Sequence, residues 1–149
     1  MTEAKRSGRT NGRRGARYGA VQQIYSSLVN PRAAQELVLS ALAEEHLVNA
    51  DKSYLQALIH GVSEQRENLD TQLQTALDRG LDQLDPMEHA ILLVGLYELL
   101  HEPSLVARIV INEAIELTKT FGATEAHRYV NGVLDRLARS QRPDEYGGR

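Results

Sequence analysis

The run Asp85-Pro86-Met87-Glu88-His89-Ala90-Ile91-Leu92-Leu93-Val94-Gly95-Leu96-Tyr97 decides the fold class. Asp85 suits a helix N-cap, Pro86 the first helical position, and Glu88 the place where a capping box wants a carboxylate. The residues from Ala90 to Tyr97 are apolar nearly all round. A helix of that kind needs cover on every side, which places it in the middle of a bundle.

Helical spacing continues outward from this segment, and no stretch shows convincing strand alternation. Val21, Ile24, Tyr25 and Leu28 repeat at i, i+3, i+4, i+7, which predicts a helix from about Arg14 to Asn30, stopped by Pro31. A second is expected from about Ala33 to Leu47, with Val38, Ala41 and Leu42 on one face. Asp51 is the expected cap of a third, which carries Leu55, Leu58, Ile59 and Val62. A break is expected near Asn68–Asp70, with a shorter helix carrying Leu69, Leu73 and Leu77. Beyond Pro103, a helix with Ile111, Ala114, Ile115 and Thr118 inward is expected to end at Phe121-Gly122, with glycine as its cap. Thr124 is read as the cap of a last helix that turns Val130, Val133, Leu134 and Leu137 inward.

The expected architecture is therefore all-α: a single domain of six to seven helices. Residues 1–12 read as a flexible basic arm, 13–140 as the helical domain, and 141–149, with Pro143, Gly147 and Gly148, as a frayed tail. Gly61, Gly95 and Gly132 fall inside helices, where each costs about 0.5–1 kcal/mol relative to alanine. Close helix–helix approach is the expected reason.

A chain of 149 residues, 42% hydrophobic, 25% charged and 5% aromatic, is ordinary globular material. It contains no cysteine, so disulfides, thiolate metal sites and cysteine nucleophiles are excluded. No apolar run approaches the ~20 residues of a membrane span, and the N-terminus lacks a secretory apolar core. The cytoplasm is the expected compartment, with no membrane partner. The total charge of −3 conceals an asymmetry. Lys5, Arg6, Arg9, Arg13, Arg14 and Arg17 face a single Glu3 at the N-terminal end, on an otherwise acidic body. A polyanion partner or a merely solvated tail both fit that composition.

Catalytic motifs are lacking: there is no P-loop and no Gly-x-Ser-x-Gly elbow. Glu98-Leu99-Leu100-His101 matches one Glu-x-x-His pair of a di-iron bundle, but such sites need two pairs and two further glutamates. Glu113 and Glu116, one turn apart, read as a solvated helix edge. Neither a metal nor a cofactor is expected. The first helix is more informative. Arg13, Arg14 and Arg17 precede its apolar stripe, and guanidinium groups match phosphate oxygens. Gln22 lies off the stripe and offers an amide to a base edge. Arg128 stands beside Tyr129, a cation–aromatic pair suited to stacking single-stranded bases, although Tyr129 equally suits the core.

Arg13-Arg14-Gly15-Ala16-Arg17 with Ala20-Val21-Gln22-Gln23-Ile24-Tyr25 resembles the opening helix of the NusB family of transcription antitermination factors. Ile111-Asn112-Glu113-Ala114-Ile115-Glu116-Leu117-Thr118-Lys119-Thr120-Phe121-Gly122 resembles that family's most recognisable stretch, and His127 to Asp135 continues it in register. Leu96-Tyr97-Glu98-Leu99 also fits, so the resemblance spans about Arg13 to Ala138. It implies two small helical bundles packed together and no catalysis. It implies binding of boxA-type RNA in ribosomal RNA leaders, with NusE, a small-subunit ribosomal protein, as partner. The elongating RNA polymerase with other Nus factors is the implied setting. Arg13, Arg14, Arg17, Gln22, Arg128 and Tyr129 match the family's RNA-facing region, and Tyr25 and Glu88 its NusE-facing side. Tyr25 also belongs to the apolar stripe, where a rim tyrosine satisfies both readings. Gly15 departs from a common third arginine, and with Gly19 it weakens the helix start, so the arm is expected to order on RNA. Ala126 stands where a polar residue is frequent. Two further readings remain open: a helical assembly module with general polyanion binding, and a homodimer that hides the RNA surface. A ribosomal RNA methyltransferase, another setting of such domains, is not expected, because it would need a catalytic cysteine and a Rossmann-like sheet, and the chain has no cysteine.

Overall fold

The structure is a computed structural model and describes residues 8–121 and 124–147, with Thr124 described in its backbone only. It is all-α, as expected; among the described residues there is no strand, only an isolated bridge between Gly12 and Ala50. The chain divides between Glu64 and Gln65 into two compact units.

In the first unit a helical turn at 8–10 precedes α1 (Gly12–Val29), α2 (Ala34–Leu42), a 3-10 turn (Glu45–Leu47) and α3 (Lys52–Glu64). Ala16, Ala20, Val21 and Ile24 of α1 are buried with Leu37, Val38 and Ala41 of α2 and Leu55, Leu58, Ile59 and Val62 of α3. Complete burial of the valine, leucine and isoleucine side chains among these stabilises by about 1.5–3 kcal/mol each. Gly19 lets α1 come close to its neighbours. A Cβ there would sit 2.7 Å from Leu47 and 3.1 Å from Leu55. The start of α3 is capped as expected: Asp51 Oδ1 accepts the Tyr54 N–H at 3.0 Å.

The second helix is shorter than its spacing suggests. It ends at Leu42, and Glu44 is extended (φ −79°, ψ 122°). Leu47 explains the break. At 100° per residue a continuous helix would turn Leu47 to the face opposite Val38. The turn instead brings it inward, to 3% exposure. The next break falls at Gln65 (φ −106°, ψ 14°) rather than at Asn68–Asp70. Val62 and Leu69 are seven residues apart, on one face of a continuous helix, and the polar run between them holds no Pro or Gly to place the break.

The second unit contains α4 (Arg66–Gln74), a 3-10 turn (Leu81–Gln83), α5 (Pro86–His101), α6 (Ala107–Thr120), a 3-10 turn (Thr124–Ala126), α7 (His127–Gln141) and a final 3-10 turn (Pro143–Tyr146). Its middle is α5, surrounded by α4, α6 and α7, with every residue from His89 to Leu96 buried. The Asp85 carboxylate accepts the Met87 and Glu88 amides at 3.0 and 3.3 Å, and Pro86 opens the helix. Gly95 does mark a close approach, because a Cβ would lie 3.1 Å from both methyls of Leu134. Gly132 does not: its nearest neighbour is an Arg136 nitrogen at an ordinary 3.6 Å. In α6, Ile111, Ala114 and Thr118 are buried as expected, while Ile115 is half-buried and Leu117 joins the inner face. Gly122 lies outside the described residues. The last helix starts later than expected. Thr124 belongs to a 3-10 turn, and Ala126 occupies the N-cap before His127. Val130, Val133, Leu134 and Leu137 are all buried.

Residues 141–147 are more structured than their composition suggests. The Arg142 guanidinium donates to the carbonyls of Leu99 (2.9 Å), Glu102 (3.0 Å) and Leu105 (2.7 Å), and to Glu145 Oε2 (2.6 Å). Glu145 Oε1 in turn accepts the Ala107 N–H at 2.7 Å, although Val106 offers α6 no side-chain cap. One arginine thus satisfies orphan carbonyls at the end of α5, and one glutamate satisfies an orphan amide at the start of α6.

Candidate nucleic-acid interface

In the first unit the sequence-derived residues sit on α1. Arg13 and Arg14 are exposed. The Arg13 guanidinium lies over the Tyr54 ring, 4.1 Å from its centroid, and Arg17 lies 5.6 Å from the same ring. Tyr54 is buried (6% exposed), so it is a fixed support rather than a mobile side chain. Arg17 is also buried, at 5%. Arg14 and Arg17 therefore do not form one solvent face. Positions i and i+3 differ by about 60° around a helix, enough to leave one outside and turn the other under.

Gly15 has a backbone reason. A Cβ there would stand 2.1 Å from the carbonyl oxygen of Thr10 and 2.9 Å from the Ala50 methyl. No side chain fits while the turn at 8–10 lies against α1. Gly12 (φ +54°) anchors that corner: its N–H donates to Asn49 O, and its carbonyl accepts from the Asp51 N–H, both at 2.9 Å. The described part of the arm is thus tied to the start of α3. Lys5 and Arg6 lie outside the described residues. Gln22 is half-buried, with Oε1 3.3 Å from His46 Nε2, and the His46 ring meets Tyr18 edge-on at 5.7 Å. Tyr25 is 38% exposed beside Val29, the rim position that admits both packing and contact.

In the second unit Arg128 is exposed and Tyr129 half-buried at the start of α7. Tyr129 is built into a cluster with the loop after α4. Its hydroxyl donates to Asp78 Oδ1 at 3.1 Å, the Arg79 guanidinium lies over the ring at 4.2 Å, and Arg79 Nε donates to Asp78 Oδ1 at 2.9 Å. The hydrogen bond from Arg79 is the main cause holding the Asp78 carboxyl below the usual range. Burial, then the bond to Asp78, pushes the Tyr129 hydroxyl up. Glu88 is half-buried, and burial followed by the nearby Asp85 raises its carboxyl.

Tyr54, Asp78 and Arg79 were not legible as site residues. Tyr54 meets Arg13, and Asp78 and Arg79 meet Tyr129, across a long stretch of chain, and no local spacing reports such contacts. The Glu98–His101 pair is divided: Glu98 is buried, while His101 is exposed with Nε2 2.7 Å from Gln65 Oε1. Among the described residues no cluster of three or more His, Asp or Glu side chains is placed to hold a metal ion. No described helix is long and apolar enough to cross a membrane.

The sequence model of the NusB family matches residues 14–139. A protein of Methylobacillus flagellatus named transcription antitermination protein NusB is 39% identical, covering 96% of this chain and 92% of its own. One of the same name from Nitrosomonas eutropha is 45% identical, covering 93% and 83%. A crystal structure of antitermination factors NusB and NusE in complex with dsRNA shares the fold, with a TM-score of 0.77 at 23% identity, covering 94% of this chain and 99% of that one.

Proposed function

The chain belongs to the NusB family, and from that premise we propose that it is a transcription antitermination factor that binds boxA-type RNA in ribosomal RNA leaders together with NusE. The observation that carries this reading is the Arg13–Arg14 pair at the start of α1, with Arg13 seated on the buried Tyr54 ring. A guanidinium whose position is fixed before binding loses less freedom when it meets a phosphate. Arg17 supports the same ring from inside, so its part is to position rather than to touch RNA. In the second unit Arg128 supplies an exposed cation beside the Tyr129 cluster, which offers a flat stacking surface to an unstacked base. Gln22 reads a base edge once it leaves His46. Tyr25, with its exposed rim, and Glu88 serve NusE.

No step of this function is catalytic. Basic side chains give salt-dependent affinity, and a few base contacts give selection. The protein works in the cytoplasm, on an elongating RNA polymerase that carries other Nus factors. Anisotropy with a labelled boxA-type oligonucleotide and a scrambled control, with and without NusE, tests the reading. Selective binding that NusE strengthens is expected. Equal binding to both RNAs would leave a general polyanion module, and a concentration-dependent dimer that excludes RNA would assign the surface to a second copy.

A further inference from the structure

The Tyr129 ring does not stand open in the free protein, because Arg79 lies over it at 4.2 Å. We propose that Arg79 is itself an RNA-contacting residue: an unstacked base lies on the outer side of its guanidinium, continuing a column of ring, guanidinium and base. This rests on the RNA-binding reading above and adds a residue to it.

Three observations favour a base over a phosphate at this place. Arg79 Nε is 2.9 Å from Asp78 Oδ1, so a carboxylate already offsets its charge and would repel a phosphate. Asp78 also takes the Tyr129 hydroxyl at 3.1 Å, which ties the loop carrying Arg79 to the ring. Finally, Arg79 keeps 42% of its side chain exposed and Asp78 67%, so the cluster opens to solvent. A guanidinium is planar and weakly hydrated, and bases stack on such planes as they do on aromatic rings. Lysine at this position would retain the charge and lose the plane.

The test uses the full chain with a single-stranded boxA-type RNA carrying 2-aminopurine at successive positions, and compares the wild type with Arg79→Lys and Arg79→Ala. Both variants should bind about fivefold to thirtyfold more weakly, as expected for one lost stacking contact. Both should lose the fluorescence quenching at one nucleotide. The dependence of affinity on salt should stay unchanged, since no phosphate contact is removed. Arg79→Lys binding as tightly as the wild type would overturn the proposal, because charge alone would then suffice. Tighter binding by Arg79→Ala would also overturn it, making Arg79 a cover over Tyr129. A flatter salt dependence would turn the contact into a phosphate contact and end the stacking claim. If the wild type binds boxA-type and scrambled RNA equally but both variants still weaken, the boxA reading fails and the Arg79 assignment stands. If the wild type binds no RNA, both fall.

Discussion

The two units use arginine in opposite ways. The first presents Arg13 and Arg14 to solvent at the start of α1, and seats Arg13 on a buried tyrosine. The second turns Arg79, Arg136 and Arg142 onto its own acceptors, while Arg128 stays exposed. Arg136 donates twice to Ala76 O (3.1 and 2.9 Å), Arg142 to three carbonyls within 3.0 Å, and Arg79 to Asp78. In the first unit Arg17 is buried, and Arg32 is bonded to Ser26, Gln23 and Ser40. An exposed guanidinium is open to a polyanion. Charge answered by carbonyls and carboxylates holds a fold together or offers only its flat face. Counting basic residues along the sequence misses this distinction.

The comparison breaks most visibly at Arg142. Arg142→Ala strands carbonyls at the end of α5 and should lower stability by about 2–4 kcal/mol in urea unfolding, while RNA affinity at a temperature where the variant is folded stays unchanged. Arg13→Ala with Arg14→Ala should do the reverse. RNA affinity at moderate salt is expected to fall about tenfold to a hundredfold with the melting temperature held, because exposed arginines contribute little to folding. A smaller effect sharpens the role of the support. Tyr54→Phe keeps a ring beneath Arg13 and should bind RNA as the wild type does. Tyr54→Leu should bind about threefold to tenfold more weakly, as loss of a cation–π contact predicts. Equal affinity for the two would remove Tyr54 from the interface.

The smallest effect concerns acid. Burial pushes the Asp70 carboxyl up, but the hydrogen bonds from His89 (2.7 Å) and Arg66 (2.7 Å) outweigh it and leave it below its ordinary value of 3.8. A lowered carboxylate stabilises the fold above its unfolded value and loses that contribution as pH falls through the folded one. The wild type should therefore lose stability more steeply below about pH 3.8 than Asp70→Asn, in thermal melts across the acid range.

Where a residue's role depends on its near neighbours, the sequence reveals it. Asp85 and Pro86 announce the start of α5, and the apolar run after them announces a buried helix. The stripes of α1, α3 and α7 likewise name their buried residues. Roles set by distant neighbours stay hidden. Leu47 ends α2 early because its own burial requires a turn. Arg17 shares a helix with Arg14, yet it is buried near a ring that belongs to α3. Tyr129 is legible as an aromatic beside a cation, but the cation over its ring is Arg79 and not the adjacent Arg128. Glycines divide in the same way: Gly95 is required by Leu134, whereas Gly15 is required by a backbone carbonyl that no helical periodicity would reveal.

The most direct test of the division between the units is the salt dependence of RNA affinity, measured side by side for the wild type, Arg13→Ala with Arg14→Ala, and Arg79→Ala. Each phosphate contact on a single strand contributes about 0.7 to the slope of log affinity against log salt. The double variant should flatten that slope by about 1.4, and Arg79→Ala should give a line parallel to the wild type and displaced to weaker binding. A parallel line for the double variant, or a flattened one for Arg79→Ala, would contradict the division.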